Sequence, residues 1–205
     1  MSTALRFPSF ILSHSLELKN MNKIRCGWVS VDVLYRDYHD HEWGRPVHDS
    51  QRLFEMLCLE GQQAGLSWIT VLKKREGYRN AFSHFDPAKI IQLTDKDIDR
   101  LVQNQDIIRS RSKIKAIIQN AHAYLAIQKQ GEDFSEYIWS FAPVPPGTRH
   151  KDYREFPTQT EESREMSKAL KKRGFNFVGP TICYAFMQAV GLVNDHSADC
   201  FCAAE

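Results

Sequence analysis

Residues 180–190 read Pro-Thr-Ile-Cys-Tyr-Ala-Phe-Met-Gln-Ala-Val and follow Gly179. Gly179-Pro180 starts a helix, and Ile182, Ala185, Phe186, Met187, Ala189 and Val190 make that helix apolar on most sides. Such a helix belongs in the middle of a protein, so other elements must surround it. Those elements are helical too. Asp86-Pro87 is a cap with proline at the first helical position, and Thr94 with Asp97 forms a capping box for a short helix through Leu101. Ile114, Ile117, Ile118, Ala121, Tyr124 and Leu125 make an apolar stripe running towards Gly131. Trp139 and Phe141 close another short segment, and an irregular loop runs from Pro143 to about Pro157. Met166, Ala169 and Leu170 mark a basic amphipathic helix ended by Gly174. No alternating strand pattern and no internal repeat is present, so the expected class is all-α.

The chain has 205 residues, 42% of them hydrophobic, enough for one sizeable core. A net charge of +2 permits a nucleic-acid partner without demanding one, because local clustering matters more than the sum. No apolar run approaches the roughly 20 residues needed to cross a bilayer, so no membrane association is expected. Arg6, Pro8 and His14 interrupt any signal-peptide core in Met1–Lys23, which reads as a loosely ordered extension with Met21 as an alternative start. Five cysteines in a chain with no evident export signal fit reduced thiols or metal ligation in the cytoplasm better than a disulfide framework.

Three groups of residues carry chemistry. The first lies on a helix that Asp49 caps, where Leu53, Met56, Leu57 and Ala64 form one stripe and Glu60 falls on it. A carboxylate on a buried face costs on the order of several kcal/mol unless it is paired or faces a pocket. A structural salt bridge and a binding site are therefore both open readings. The helix ends near Gly65, leaving Leu66 prominent on a turn before Trp68 opens the next helix; core packing is the alternative for both side chains. Trp28, Tyr35, Tyr38, Trp43 and Trp68 fit a slot for a flat base, or plain core.

The second group is Cys26, His39, His196 and Cys200, two thiolates and two imidazoles suited to a closed tetrahedral zinc. Cys202 can replace Cys200, His41 can replace His39, and inert free thiols are the alternative. With no open position, such a zinc is structural and staples the chain ends. The third group is Arg109, Arg111, Lys113 and Lys115, clustered where a second helix begins after Leu101. Free N–H groups and side-chain cations there suit a nucleic-acid phosphate; a solvated basic face is the plainer reading.

Arg-Cys-Gly-Trp-Val at 25–29, Tyr-His-Asp-His-Glu-Trp-Gly at 38–44 and Leu-Glu-Gly-Gln-Gln-Ala-Gly-Leu-Ser-Trp at 59–68 closely resemble the 3-methyladenine-DNA glycosylase I family. So do Lys-Lys-Arg-Gly-Phe at 171–175, Phe-Val-Gly-Pro-Thr-Ile-Cys-Tyr at 177–184 and Gly-Leu-Val-Asn-Asp-His at 191–196. The resemblance runs from about Arg25 to Cys202 and leaves out the extension. It implies a helix-hairpin-helix DNA glycosylase fold, with residues 24–205 forming one domain of two helical lobes around a base pocket. It implies one structural zinc (Zn2+) per chain on Cys26, His39, His196 and Cys200, joining the N- and C-terminal segments. Glu60 would contact the alkylated base, Tyr35 and Tyr38 would lie nearby, and Trp28, Trp43 and Trp68 would shape the pocket. Gly65-Leu66 would enter the duplex, while Arg109, Arg111 and Lys113 hold its backbone.

The implied partner is double-stranded DNA containing alkylated purines, with free 3-methyladenine as product and a monomeric enzyme. No motif positions a lysine as a Schiff-base nucleophile, so the expected enzyme is monofunctional and leaves an abasic site. A non-catalytic alkylated-DNA binding protein on the same fold is the alternative. Asp106 stands where the family's hairpin usually has glycine, which raises the expectation of an uncomfortable left-handed residue and a weaker or differently shaped grip on DNA.

Overall fold

The computed structural model describes residues 23–143 and 152–203. Most of the expected N-terminal extension, with Met21, and most of the Pro143–Pro157 loop lie outside the described residues. The elements in chain order are α1 (Val33–His41), α2 (Ser50–Gln62), α3 (Trp68–Leu72), α4 (Arg75–Ala81), α5 (Pro87–Ile90), α6 (Asp95–Leu101) and α7 (Arg111–Lys129). Then come α8 (Phe134–Trp139), α9 (Glu161–Lys172) and α10 (Pro180–Ala189), with single 3-10 turns at Ser83–Phe85 and Tyr153–Glu155. No strand is present among the described residues, which are all-α. No helix among them is long and apolar enough to cross a membrane.

Short polar side chains set most of the helix starts by accepting hydrogen bonds from N–H groups that have no partner within the helix. Asp32 caps α1, Asp49 caps α2, Asp86 caps α5 and Asp133 caps α8. Thr94 with Asp97 and Thr160 with Ser163 close reciprocal capping boxes on α6 and α9.

The centre of the core is α2. Every residue from Leu53 to Gln62 is buried, and the helix packs against α3, α7, α8 and α10. The helix after Gly179, expected in the middle of the protein, is covered on one side only. α10 buries Cys183, Phe186, Met187 and Ala189 against α9 and α2, but Thr181 is exposed and Ala185 and Gln188 face a cavity. α2 can occupy the centre because its polar side chains are provided for. Glu55 accepts from Arg52 and Arg79, both at 2.8 Å, and Gln62 accepts from the Tyr78 hydroxyl at 3.0 Å. Glu60 faces the same cavity as Ala185 and Gln188.

α6, the turn 102–110 and α7 form a hairpin bolted to α4. Lys74 Nζ donates to Gln105 O at 2.6 Å, and the Ile108 N–H donates to the Tyr78 hydroxyl at 3.1 Å. Gly77 makes the contact close, since a Cβ there would stand 2.2 Å from Asp106 O. Asp106 itself has no left-handed backbone, because the non-glycine residues with positive φ among the described residues are Ser83, His84, Phe85 and Phe177. The expected strain is absent: Asn104 Oδ1 accepts from the Asp106 N–H at 2.8 Å and shapes the turn without it. Gly77→Ala must push the hairpin off α4. We expect it to lower stability by about 1–3 kcal/mol in urea unfolding, and an unchanged midpoint would contradict the close approach.

Candidate active site

A cavity of about 160 Å³ opens between α1, α2, α3 and α10. A buried void of about that size holds one aromatic ring. Tyr35 and Tyr38 reach it from successive turns of α1, Trp28 and Trp43 from the segments flanking that helix, and Trp68 from the first position of α3. Glu60 and Gln63 come from the end of α2, Ala185 and Gln188 from α10, and Phe156 from just after a 3-10 turn.

The walls hold one another at aromatic contact distances. The Trp28 ring lies 5.0 Å from Tyr35 and 5.0 Å from Trp43, and Tyr38 lies 5.4 Å from Trp68. Trp68 thus packs as core and lines the cavity at once. Phe156, Gln63, Ala185 and Gln188 were not picked out from the sequence. A signal existed for Gln188, the amide in the second half of a largely apolar helix, and for Gln63, three residues after Glu60. Phe156 follows an irregular segment, where sequence carries no periodicity.

Glu60 is 2% exposed, and its Oε2 has no hydrogen-bond partner. It makes no ion pair among the described residues, which removes the salt-bridge reading. Burial without a cation pushes its carboxyl up to about 8. The Tyr35 and Tyr38 hydroxyls are also raised, first by burial and then by the facing carboxyl. The indole N–H groups of Trp28 and Trp68 are likewise buried without acceptors. Folded proteins seldom leave three such groups unmet around one void, so the cavity is built to receive a flat molecule with polar edges.

Beside the cavity, Gly65 adopts φ +75° and turns the chain so that Leu66 is 42% exposed. Plain core packing is therefore excluded for Leu66. Arg109 and Arg111 stand exposed at the start of α7, with Arg111 paired to Asp99. Lys113 does not join them. It is buried, and its Nζ donates to Gln62 O and Ala64 O, both at 2.7 Å. The expectation of a solvent-facing phosphate contact at Lys113 is corrected, because the ammonium is taken up by carbonyls at the end of α2.

Behind Trp28 and Trp43 lie Cys26, His39, His196 and Cys200, all buried, with one ligand atom from each within 4.8 Å of the others. Cys26 Sγ is 3.6 Å from His196 Nδ1; Cys200 Sγ is 3.4 Å from His39 Nε2 and 3.7 Å from His196 Nδ1. Ligands of a tetrahedral zinc stand about 3.3–3.8 Å apart, so the donor set fits that ion. The outer ring nitrogens are already engaged: His39 Nδ1 with Asp40 at 2.9 Å and His196 Nε2 with Trp43 O at 3.2 Å. Their lone pairs therefore point inward. The Cys26 thiol first, and then the two imidazoles, hold the Cys200 thiol well below its ordinary range. His41 is exposed and bonded to Asp37, and Cys202 belongs to a second grouping with His39 and Asp40, so neither replaces the expected ligand.

Comparison with known proteins gives this geometry a lineage. The family model described as methyladenine glycosylase matches residues 28–203. The DNA-3-methyladenine glycosylase of Haemophilus influenzae is 60% identical over 179 residues, covering 87% of this chain and 97% of its own. A crystal structure of 3-methyladenine DNA glycosylase I has a TM-score of 0.85 at 59% identity, covering 87% of this chain and 99% of that one. A variant of 3-methyladenine DNA glycosylase I in complex with 3-methyladenine has a TM-score of 0.82 at 40% identity, covering 86% of this chain and 96% of its own. The family match takes in every cavity residue from Trp28 to Gln188, and by it this chain belongs to the methyladenine glycosylase family.

Proposed function

We propose that the chain is a monofunctional DNA-3-methyladenine glycosylase, which hydrolyses the N-glycosidic bond of 3-methyladenine in alkylated double-stranded DNA. It releases the free base and leaves an abasic site. The observation that carries this reading is a buried carboxyl with no partner inside a ring of aromatic side chains. In this reading residues 24–205 form one domain, α6 and α7 are its helix-hairpin-helix, and the cavity lies between two helical lobes. The enzyme acts as a monomer. Its five cysteines, all buried and none in a disulfide, suit the reducing cytoplasm. Nothing in the cavity favours a non-catalytic binder.

Glu60 is the only carboxylate lining the cavity among the described residues. Its free carboxyl keeps its proton at neutral pH because nothing nearby stabilises the anion. A purine methylated at N3 carries a positive charge. Ionising Glu60 at pH 7 costs about 1.4 kcal/mol, one unit of its displaced titration. A charge pair at about 4 Å returns roughly 4 kcal/mol in a protein-like dielectric, so the lesion wins that exchange. Normal adenine is neutral and gains nothing from it. Flipping a base out costs roughly a few kcal/mol, which stacking on these rings can offset at about 1–3 kcal/mol per base.

When the bond from N9 to the sugar breaks, its electron pair stays with the base, which leaves neutral. Water adds its hydroxide to the sugar carbon and releases one proton. With the cation gone, Glu60 takes back a proton, and charge and atoms balance. Arg109 and the N-terminus of α7 hold a phosphate without reading sequence, and Leu66 fills the gap left in the stack. Cys26, His39, His196 and Cys200 would hold one zinc, closed to water, that staples the chain ends and stiffens the wall behind Trp28 and Trp43.

Glu60→Gln should cut base release from methylated duplex at least 100-fold or so while duplex affinity stays nearly intact. The wild-type kcat/KM should fall as pH drops below about 8, and the variant's profile should be flat. Loss of affinity in step with activity would make Glu60 structural.

The same group destabilises the fold. Its native carboxyl titrates near 8 against an ordinary 4.5, so the stability linked to it is full below 4.5 and lost as pH rises to 8. At pH 7 the difference is roughly 3 kcal/mol. Glu60→Gln should therefore raise the urea midpoint at pH 8 and leave it unchanged at pH 4.5; equal effects at both would refute the burial account.

Cys26→Ser should drop bound zinc well below one per chain and lower the melting temperature by about 10 °C or more. Retained thermal stability would count against the staple.

A further inference from the structure

Lys113 is the third residue of α7, two positions after Arg111, yet its side chain turns inward to the far end of α2. Its Nζ bonds Gln62 O and Ala64 O at 2.7 Å each, and Gln62 Nε2 returns a bond to Lys113 O at 3.4 Å. These carbonyls end a helix whose own last turn holds no basic residue, so Lys113 supplies from another element the cation that this end of the dipole favours. No carboxylate pairs with it among the described residues, and burial lowers its ammonium below the ordinary range.

The two bonds grip the chain immediately before Gly65 and Leu66. On its outer side the turn stands free, since a Cβ at Gly65 would meet nothing within 4 Å. Within the turn, the Leu66 N–H donates to Gln63 O at 2.6 Å. The same end of α2 is tied to the hairpin by a second route, from Gln62 through the Tyr78 hydroxyl to the Ile108 N–H, at 3.0 and 3.1 Å. The base of the hairpin and the turn carrying Leu66 are thus one bonded unit, and Lys113 closes it on the side nearest Leu66.

We propose that Lys113 is a positioning residue for opening the duplex: it locks the turn bearing Leu66 to the start of α7, so that hairpin and wedge meet DNA as one rigid body. The proposal rests on the glycosylase reading above and assigns Lys113 to the flipping step, apart from phosphate binding and base chemistry. Lys113→Met keeps the aliphatic stem and removes both bonds. Single-turnover release from duplex DNA should fall roughly 10- to 100-fold, as displacement of a positioned group by about 1 Å does. Affinity for free 3-methyladenine should stay within about twofold, and release from methylated single strands, with no stack to open, should change little.

Added to Leu66→Ala, the substitution should cost nothing further, because both act on one wedge. Should Lys113→Met fold poorly, Lys113→Gln, which can still donate to one carbonyl, should give the same duplex-specific pattern at smaller amplitude. Losses that multiply in the double variant, or equal losses on duplex, single strand and free base, would overturn the proposal. A wild-type protein that releases no base at all would instead overturn the function on which it rests.

Discussion

An acid sealed among aromatic rings with one oxygen bonded to nothing is expensive, and the surrounding architecture exists to keep it there. Glu60 belongs to the helix buried along its whole inner length, so it cannot swing to solvent without unpacking α3, α7, α8 and α10 from α2. The neighbouring acids are treated differently. Glu55 accepts from Arg52 and Arg79, and Glu42 accepts from Arg75 and Arg52. Arg52 stands about two turns before Glu60 on the same helix, yet it pairs with Glu42 and Glu55 instead. Among the described residues no cation lines the cavity, which leaves Glu60 to pair with whatever enters.

Support for the cavity comes from two sides. On one, the Trp43 ring lies 4.7 Å from the His196 ring and Trp28 lies 5.3 Å from His39, so the walls lean directly on the buried Cys/His cluster. That cluster is fixed from outside by Asp40, which Arg25 holds at 2.6 and 2.8 Å. The N–H of Phe201 also bonds Ile24 O at 2.9 Å, pinning the two chain ends beside it. On the other side, α4 and the hairpin are bonded to the end of α2 through Tyr78 and Lys113. The two supports hold the cavity between rigid bodies, as discrimination on a single methyl group and its charge requires.

Much of this was legible in the chain. Caps at Asp49, Asp86 and Thr94 and the stripe from Ile114 to Leu125 mark helices because capping and periodicity are local properties. The clash between Glu60 and its apolar stripe marked the site, and the soft-donor chemistry of Cys26, His39, His196 and Cys200 marked the cluster. What sequence concealed is long-range. Lys113 reads as one of four surface cations until the fold brings α2's carbonyls to it. Asp106 looks strained until Asn104 is seen to shape its turn. α10 looks covered on all sides because composition cannot say which of two apolar helices faces a cavity with its small and polar residues, here Ala185 and Gln188.

The most direct test is the titration of the Glu60 side-chain carbon itself, followed by 13C NMR in selectively labelled protein with and without a duplex carrying the N3-methylated purine cation on a sugar whose glycosidic bond resists hydrolysis. The account predicts a midpoint near 8 in the free protein, and an ionised carboxylate at pH 7 once the lesion is bound. A free-protein midpoint in the ordinary carboxylate range, near 4.5, would mean that Glu60 has a hidden partner, and the cavity would lose its preference for a cationic purine.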